Sequence, residues 1–245
     1  MGRDVVERDE RALLALEVEV IHGLGPVAKG GLPTVTDPAV QAVLAWSPRA
    51  RVLALGEGVA PPSDGGGFGV DGEPYAPGEP PGVLVRLASA LTAAGEPAAV
   101  EGGPCFTFPD PLAAAPAAPL PLLLSDDQGR DAARQLTRPD NWQPGEWAEL
   151  ISGAAGEWAM AVHDGAPVSI CHTPAANARA AEAGIWTRPD FRGRGLAPAA
   201  AAAWSHRVRR DKEVLFYSTT AANRASRSVA RALGLAPLGW IWTVR

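Results

Sequence analysis

Hydrophobic positions along this chain recur at two periods, near 3.6 and near 2, and the switches between them mark out its elements. Val5 to Ile21 carries apolar residues at helical spacing with no Gly or Pro, which predicts a helix. Ala50 to Leu55 predicts a short strand. Asp64 to Pro81 is rich in Gly and Pro and predicts a long loop. Val83 to Ala94 predicts a helix, followed by extended chain near Val100 and from Cys105 to Phe108. Ala113 to Pro121, alanine interrupted by proline, predicts a linker or crossover.

Beyond Pro121 the punctuation becomes regular. Leu122 to Leu124 predicts a strand, and Ser125 or Asp126 caps a helix running to about Leu136. Pro144 sits in the first turn of a second short helix that continues through Ile151. Trp158 to Val162 and Val168 to His172 alternate around His163-Asp164-Gly165, a hairpin signal. Next come a strand from Ala180 to Thr187, a glycine turn, and a helix from about Leu196 to Arg210. A strand Val214 to Ser218, a helix Asn223 to Leu233 closed by Gly234, and a strand Leu238 to Val244 complete the chain. No internal repeat is apparent.

Composition narrows the function classes. A chain of 245 residues has room for one large domain or two small ones. No stretch approaches the ~20 apolar residues that a membrane span needs, and Met1 to Arg11 is too charged for a secretion signal, so no membrane association is expected. Cys105 and Cys171 are too few for a disulfide framework, and a cytoplasmic location is expected. His22, His163, His172 and His206 show no ligand spacing, and no metal site is expected. A net charge of −5 argues against nucleic-acid binding. The charge is uneven, however: Arg188 to Lys212 holds seven basic residues against two acidic ones. Complementing a helix C-terminus explains the later ones. It does not explain Arg192 and Arg194, at the end where cations are least welcome unless an anion accompanies them.

Arg192-Gly193-Arg194-Gly195-Leu196-Ala197 is the turn between the strand and the alanine-rich helix. The first N–H groups of a helix have no internal partner and the dipole there is positive, so such a turn is an anion cradle. Gly193 and Gly195 let an anion approach the backbone without a Cβ in the way, and Pro198 follows the donors rather than interrupting them. The phosphate loop Gly-x-x-x-x-Gly-Lys-Ser/Thr is absent, and the turn lacks the third glycine of a dinucleotide fingerprint.

The segment Glu182 to Ala197 resembles the central motif of the GNAT acyltransferase family, a strand ending in an Arg/Gln-x-x-Gly-x-Gly/Ala turn, with Arg192, Gly195 and Ala197 at its three positions. Thr219 to Leu235 resembles that family's second motif, Asn-x-x-Ser/Ala followed by Leu-Gly-Phe, here with Asn223, Ser226 and Leu233-Gly234-Leu235. The element order extends the likeness to roughly Leu120 through Arg245. The resemblance implies an α/β (α+β) fold, a mixed, mostly antiparallel sheet flanked by helices. It places a GNAT domain over 119–245 behind an N-terminal α/β extension, 1–118. It implies acetyl-CoA as donor and an amine acceptor as partner, in a monomer or homodimer. The coenzyme's pyrophosphate is expected on Arg192, Gly193, Arg194, Gly195, Leu196 and Ala197. Its pantetheine arm is expected along Ile185, Trp186 and Thr187, and Asn223 and Ser226 are expected to contact the cofactor or, in the bland reading, to cap and pack their own helix.

Acyl transfer to an amine needs a neutral amine, a stabilised oxyanion and a proton for the departing thiolate. Glu182, sharing a strand face with Gly184 and Trp186, is the candidate base; a salt-bridged or edge glutamate is the alternative. Many family members carry a Tyr seven residues after the Asn, as general acid. Here that position is Ala230, and Tyr217 substitutes by chemistry only. That gap keeps open a non-catalytic acyl-CoA-binding regulator on the same fold, and a module for another nucleotide is a third alternative. Trp240 and Trp242 share a face of the last strand, as core or pocket wall.

Overall fold

The computed structural model describes residues 9–25, 31–59, 74–112 and 117–245. In chain order its elements are α1 (Glu10–His22), β1 (Ala42–Trp46), β2 (Arg51–Leu55), α2 (Gly82–Ala93), β3 (Val100–Thr107), β4 (Leu122–Leu124), α3 (Asp127–Ala133), α4 (Pro144–Ser152), β5 (Trp158–His163), β6 (Ala166–Ala176), β7 (Ala180–Thr187), α5 (Leu196–Val208), β8 (Val214–Ser218), α6 (Arg224–Ala232) and β9 (Ala236–Val244). A 3-10 turn, Pro189–Phe191, leads into the glycine turn. The expected residues 5–8, 64–73 and 113–116 lie outside the described residues.

By contacts the chain forms two compact units, neither continuous in sequence. The first gathers residues 1–106, 218–223 and 237–245; the second gathers 107–217 and 224–236. Most of β9, inside the stretch read as one domain, pairs antiparallel with β1, with Trp46 opposite Trp240 and Leu44 opposite Trp242.

In the first unit, β1 pairs with β2 and β9. The Ala42, Leu44 and Trp46 face packs with Val83, Leu84, Leu87 and Ala88 of α2 and with Trp242. Alternation turns Val43 and Ala45 to the other face, and α1 lies against β1 and β2. Strand β1 is missing from the sequence reading. Its continuous apolar run shows no period to distinguish strand from buried helix. Trp240 and Trp242 stack with centroids 5.5 Å apart, and Trp242 is buried in this core.

In the second unit the sheet order is β8-β7-β6-β5-β4. Strands β7 and β8 are parallel and the other pairs antiparallel, the mixed, mostly antiparallel sheet that was expected. The β5–β6 turn is Asp164-Gly165, both at positive φ, as a two-residue hairpin of this twist requires. Helices α3 and α4 cover one face through Ala133, Trp147 and Leu150, over Trp158, Met160 and Ile170. Helix α3 stops at Ala133, one turn short of expectation. The other face carries α5, whose Ala199 to Ala202 are all buried and let the helix lie close to the sheet. Trp204 on α5 donates its indole N–H to Thr173 Oγ1 at 2.9 Å, and Arg207 holds Glu157 through Nε at 2.7 Å.

Candidate active site

Strand β7 is a complete partner on one side and an incomplete one on the other. It follows β6 from Ala181 to Thr187, whereas its parallel pairing with β8 covers only Ala180, Ala181 and Glu182. Arg188 N donates to Val168 O at 2.9 Å, which fixes the parity of the ladder. The backbone groups of Gly184 and Trp186 turn toward β6, and Ser169 Oγ also donates to Trp186 O, at 3.2 Å. Those of Ile185 and Thr187 turn the opposite way, to the edge that β8 has left. Gly184 to Thr187 are only half-buried.

Side chains alternate across the same strand. Glu182, Gly184 and Trp186 face α3 and α4, while Ala183, Ile185 and Thr187 face α5. Glu182 is buried, and Phe216 is its register partner on β8. Beside it a bulge in β6 sets Thr173 and Pro174 against one β7 residue, a place where proline is tolerated in a sheet. His172 lies opposite Gly184 on this face, with Trp158 as its partner on β5. A cleft of about 440 Å³ opens at Trp186, walled by the 137–141 segment between α3 and α4, Ala166-Pro167, and Arg188, Pro189 and Arg192.

The glycine turn closes the end of β7. Gly193 and Gly195 adopt φ of +73° and +77°, a conformation that favours glycine, with open space where a Cβ would stand. Gly195 is the cap of α5. Among the described residues no backbone acceptor faces the N–H groups of Gly193, Gly195, Leu196 or Ala197. The arginines divide their work. Arg194 donates to Asp190 O at 2.8 Å and lies over the Phe191 ring at 4.6 Å, with Arg188 over the same ring at 4.3 Å. Arg192 is exposed, and its Nε donates to Thr187 O at 3.2 Å. Arg194 therefore shapes the turn, and Arg192 is the cation beside it.

Tyr217, one residue beyond Phe216, is turned to the face opposite Glu182 and is buried beside Ser226 of α6. Burial pushes its hydroxyl up to about 12; Ser226 works against that, and the nearby Cys171 and Glu182 add to it. A phenol that holds its proton this tightly is a poor acid. Ala230 on α6 is buried and carries no acid group. Asn223 immediately precedes α6 and donates its N–H to Thr220 O at 3.1 Å. Among the described residues no group of three His, Cys, Asp or Glu side chains gathers to hold a metal, and no helix is long and apolar enough to cross a membrane.

Residues 115–236 match the family model described as Acetyltransferase (GNAT) domain. No curated protein matches the sequence. Among solved structures, the chain is similar to a GCN5-related N-acetyltransferase-like protein from Streptococcus suis 89/1591. That likeness has 18% identity, covers 64% of this chain and 66% of the other, and has a TM-score of 0.44. It is similar to a GNAT-family protein from Novosphingobium aromaticivorans DSM 12444, at 16% identity over 96% of this chain and 94% of that one, TM-score 0.44. It is also similar to AAC(6')-Iy in complex with a CoA bisubstrate analogue, at 19% identity over 46% of this chain and 88% of that one, TM-score 0.36. The family assignment rests on the domain match.

Proposed function

Because residues 115–236 are a GNAT acetyltransferase domain and the chain is accordingly a GNAT-type transferase, we propose that it moves an acetyl group from acetyl-CoA to a primary amine. One observation carries this reading: four N–H groups of a glycine turn that no backbone acceptor faces among the described residues, next to a strand edge that β8 leaves after Glu182. The diphosphate fits the Gly193–Ala197 cradle and Arg192, because those donors converge where the helix dipole is positive. The amide-rich pantetheine fits the edge of β7 as an added strand would. Parity favours Ile185 and Thr187 for that contact, since the backbone of Trp186 turns toward β6. The thioester supplies the activated acyl carbon. Ser226 bounds the same region from α6.

The acceptor enters from the cleft at Trp186, on the face of Glu182. An alkylamine arrives as an ammonium, and Glu182 takes its first proton. The neutral nitrogen then attacks the acyl carbon, and the Ile185 N–H meets the charge that develops on oxygen. With Arg138, Asp140 and Arg188 at its walls, the cleft suits an acceptor that carries polar groups besides its amine. Calorimetric titration with CoA, ATP and NAD, followed by thiol release from acetyl-CoA against a panel of primary amines, tests the reading. CoA is expected to bind at least tenfold more tightly than either nucleotide, with thiol release for at least one amine class. Absence of CoA binding overturns the assignment, and binding without thiol release for any amine turns it into the regulator reading.

A further inference from the structure

The transfer just described leaves one proton unassigned, and a second titratable group stands where that proton moves. His172 is the cross-strand partner of Gly184, on the face of Glu182 and Trp186. Its ring lies face-on over the glycine: Nδ1, Cε1 and Nε2 lie 3.1, 2.6 and 3.0 Å from where a Cβ on residue 184 would stand. Any other residue there would drive the imidazole away, so the glycine makes room for it. Trp142 meets the ring edge-to-face at 5.1 Å and holds its orientation. Nδ1 is buried with no hydrogen-bond partner among the described residues. Such an atom costs stability and calls for a reason to persist. Burial keeps the ring neutral at neutral pH, against the opposing pull of the Gly184 backbone.

We propose that His172 is the proton shuttle of the acyl transfer, taking the proton from the attacking nitrogen and giving it to the departing sulfur. This rests on the proposed function. A carbonyl held on the Ile185 N–H has its carbon beside Gly184, and an amine coming from the cleft side reaches it across the glycine, where the imidazole lies. The nitrogen lone pair adds to the carbon and the C=O pair moves to oxygen. The N–H proton passes to the imidazole; the oxygen pair returns, the C–S bond breaks, and the imidazolium protonates the thiolate and is neutral again. One proton travels from nitrogen to sulfur, and the other proton of the ammonium leaves through Glu182. A single side chain thus does what a base and a separate acid would do, so the alanine at position 230 leaves no step without a proton donor.

The test combines spectroscopy and kinetics on the full chain. With only four histidines, the Cε1–H resonance lost in His172→Gln identifies this ring. Saturating acetyl-CoA is expected to shift that resonance. With the amine that gives the fastest thiol release, His172→Gln is expected to lower kcat about a hundredfold while the KM for acetyl-CoA stays within about twofold. Gly184→Ala, which keeps the imidazole but displaces it, should show a similar loss, with melting curves reporting that the fold is kept. A resonance that does not move at saturation overturns the shuttle, as does a His172→Gln kcat within about threefold of the original. Failure to bind acetyl-CoA at all overturns the proposed function together with it.

Discussion

Strands β1 and β7 hold comparable places, each between two neighbours with helices packed nearby, and they end differently. Strand β1 is paired over its whole length on both sides, from Ala42 to Trp46, and all five residues are at most 2% exposed. Strand β7 starts the same way, with Ala180 and Ala181 fully buried, and then loses β8 after Glu182. Its remaining residues keep one ladder and offer the other edge. Both strands begin as continuous buried runs, Ala42 to Trp46 and Ala180 to Ala183, so burial at the start does not separate a purely structural strand from one with a use. The completeness of the edge ladder does, because an unpaired backbone edge is a standing demand for a partner.

The comparison predicts opposite kinds of damage. In the closed strand, Trp46→Ala removes a ring that packs with Tyr75 at 5.5 Å and with the α2 cluster. Chemical denaturation should show a loss of about 3–5 kcal/mol, with little change in CoA affinity wherever the protein is still folded. At the open strand, Arg192→Ala removes an exposed cation whose Nε donates to Thr187 O. Its unfolding midpoint should stay put while CoA binding weakens about tenfold to a hundredfold, the loss of one charge-assisted contact. Arg194→Ala is the control, since that side chain is engaged with Phe191 and Asp190. If it weakens CoA binding more than Arg192→Ala does, the division of labour between the two arginines is wrong.

Much of the open region was legible from residue order. Gly193 and Gly195 marked a backbone that an anion can approach without a Cβ in the way, the lack of internal partners at a helix start follows from helix geometry, and strand alternation placed Glu182 and Trp186 on one face. The edge assignment was not legible. Whether Trp186 or its neighbours face the gap depends on ladder parity, which a single hydrogen bond from Arg188 to Val168 settles in the structure. His172 was passed over because a lone histidine in an apolar strand has no spacing signal. The available hint was Gly184, since glycine inside a strand marks a close approach by something else. Strand β1 and the return of β9 to it were hidden for another reason. Pairing between segments some two hundred residues apart leaves no trace in local period, and AVLAW fits a helix core as well as a strand.

The smallest effect compares His22, buried in the first unit, with His172, half-buried in the second, by their pH dependence. His22 in the first unit is held below its usual 6.5 by burial, with Arg245 adding to this and Asp37, 3.5 Å away, opposing it. His172 is held below 6.5 by burial, opposed only by the Gly184 backbone. For both, the unfolded chain takes up a proton as the pH falls through about 6.5 and the folded chain does not. Stability is therefore full above that pH and declines below it. A second decline belongs to carboxylates. Glu10 is lowered by its bonds to Arg49 and Ser47, and at Glu157 the upward push of burial is outweighed by Arg207 and Ser125. Their contribution is present above the usual carboxylate range and is lost only as the pH falls through their own depressed values. Denaturation midpoints taken between pH 7.5 and 5.5 isolate the histidine limb. His172→Gln should flatten it more than His22→Gln, because Asp37 already returns part of the cost of charging His22. A limb as steep in His172→Gln as in the unsubstituted protein would mean that this ring does not resist its proton, and with that His172 would lose the neutrality a shuttle requires.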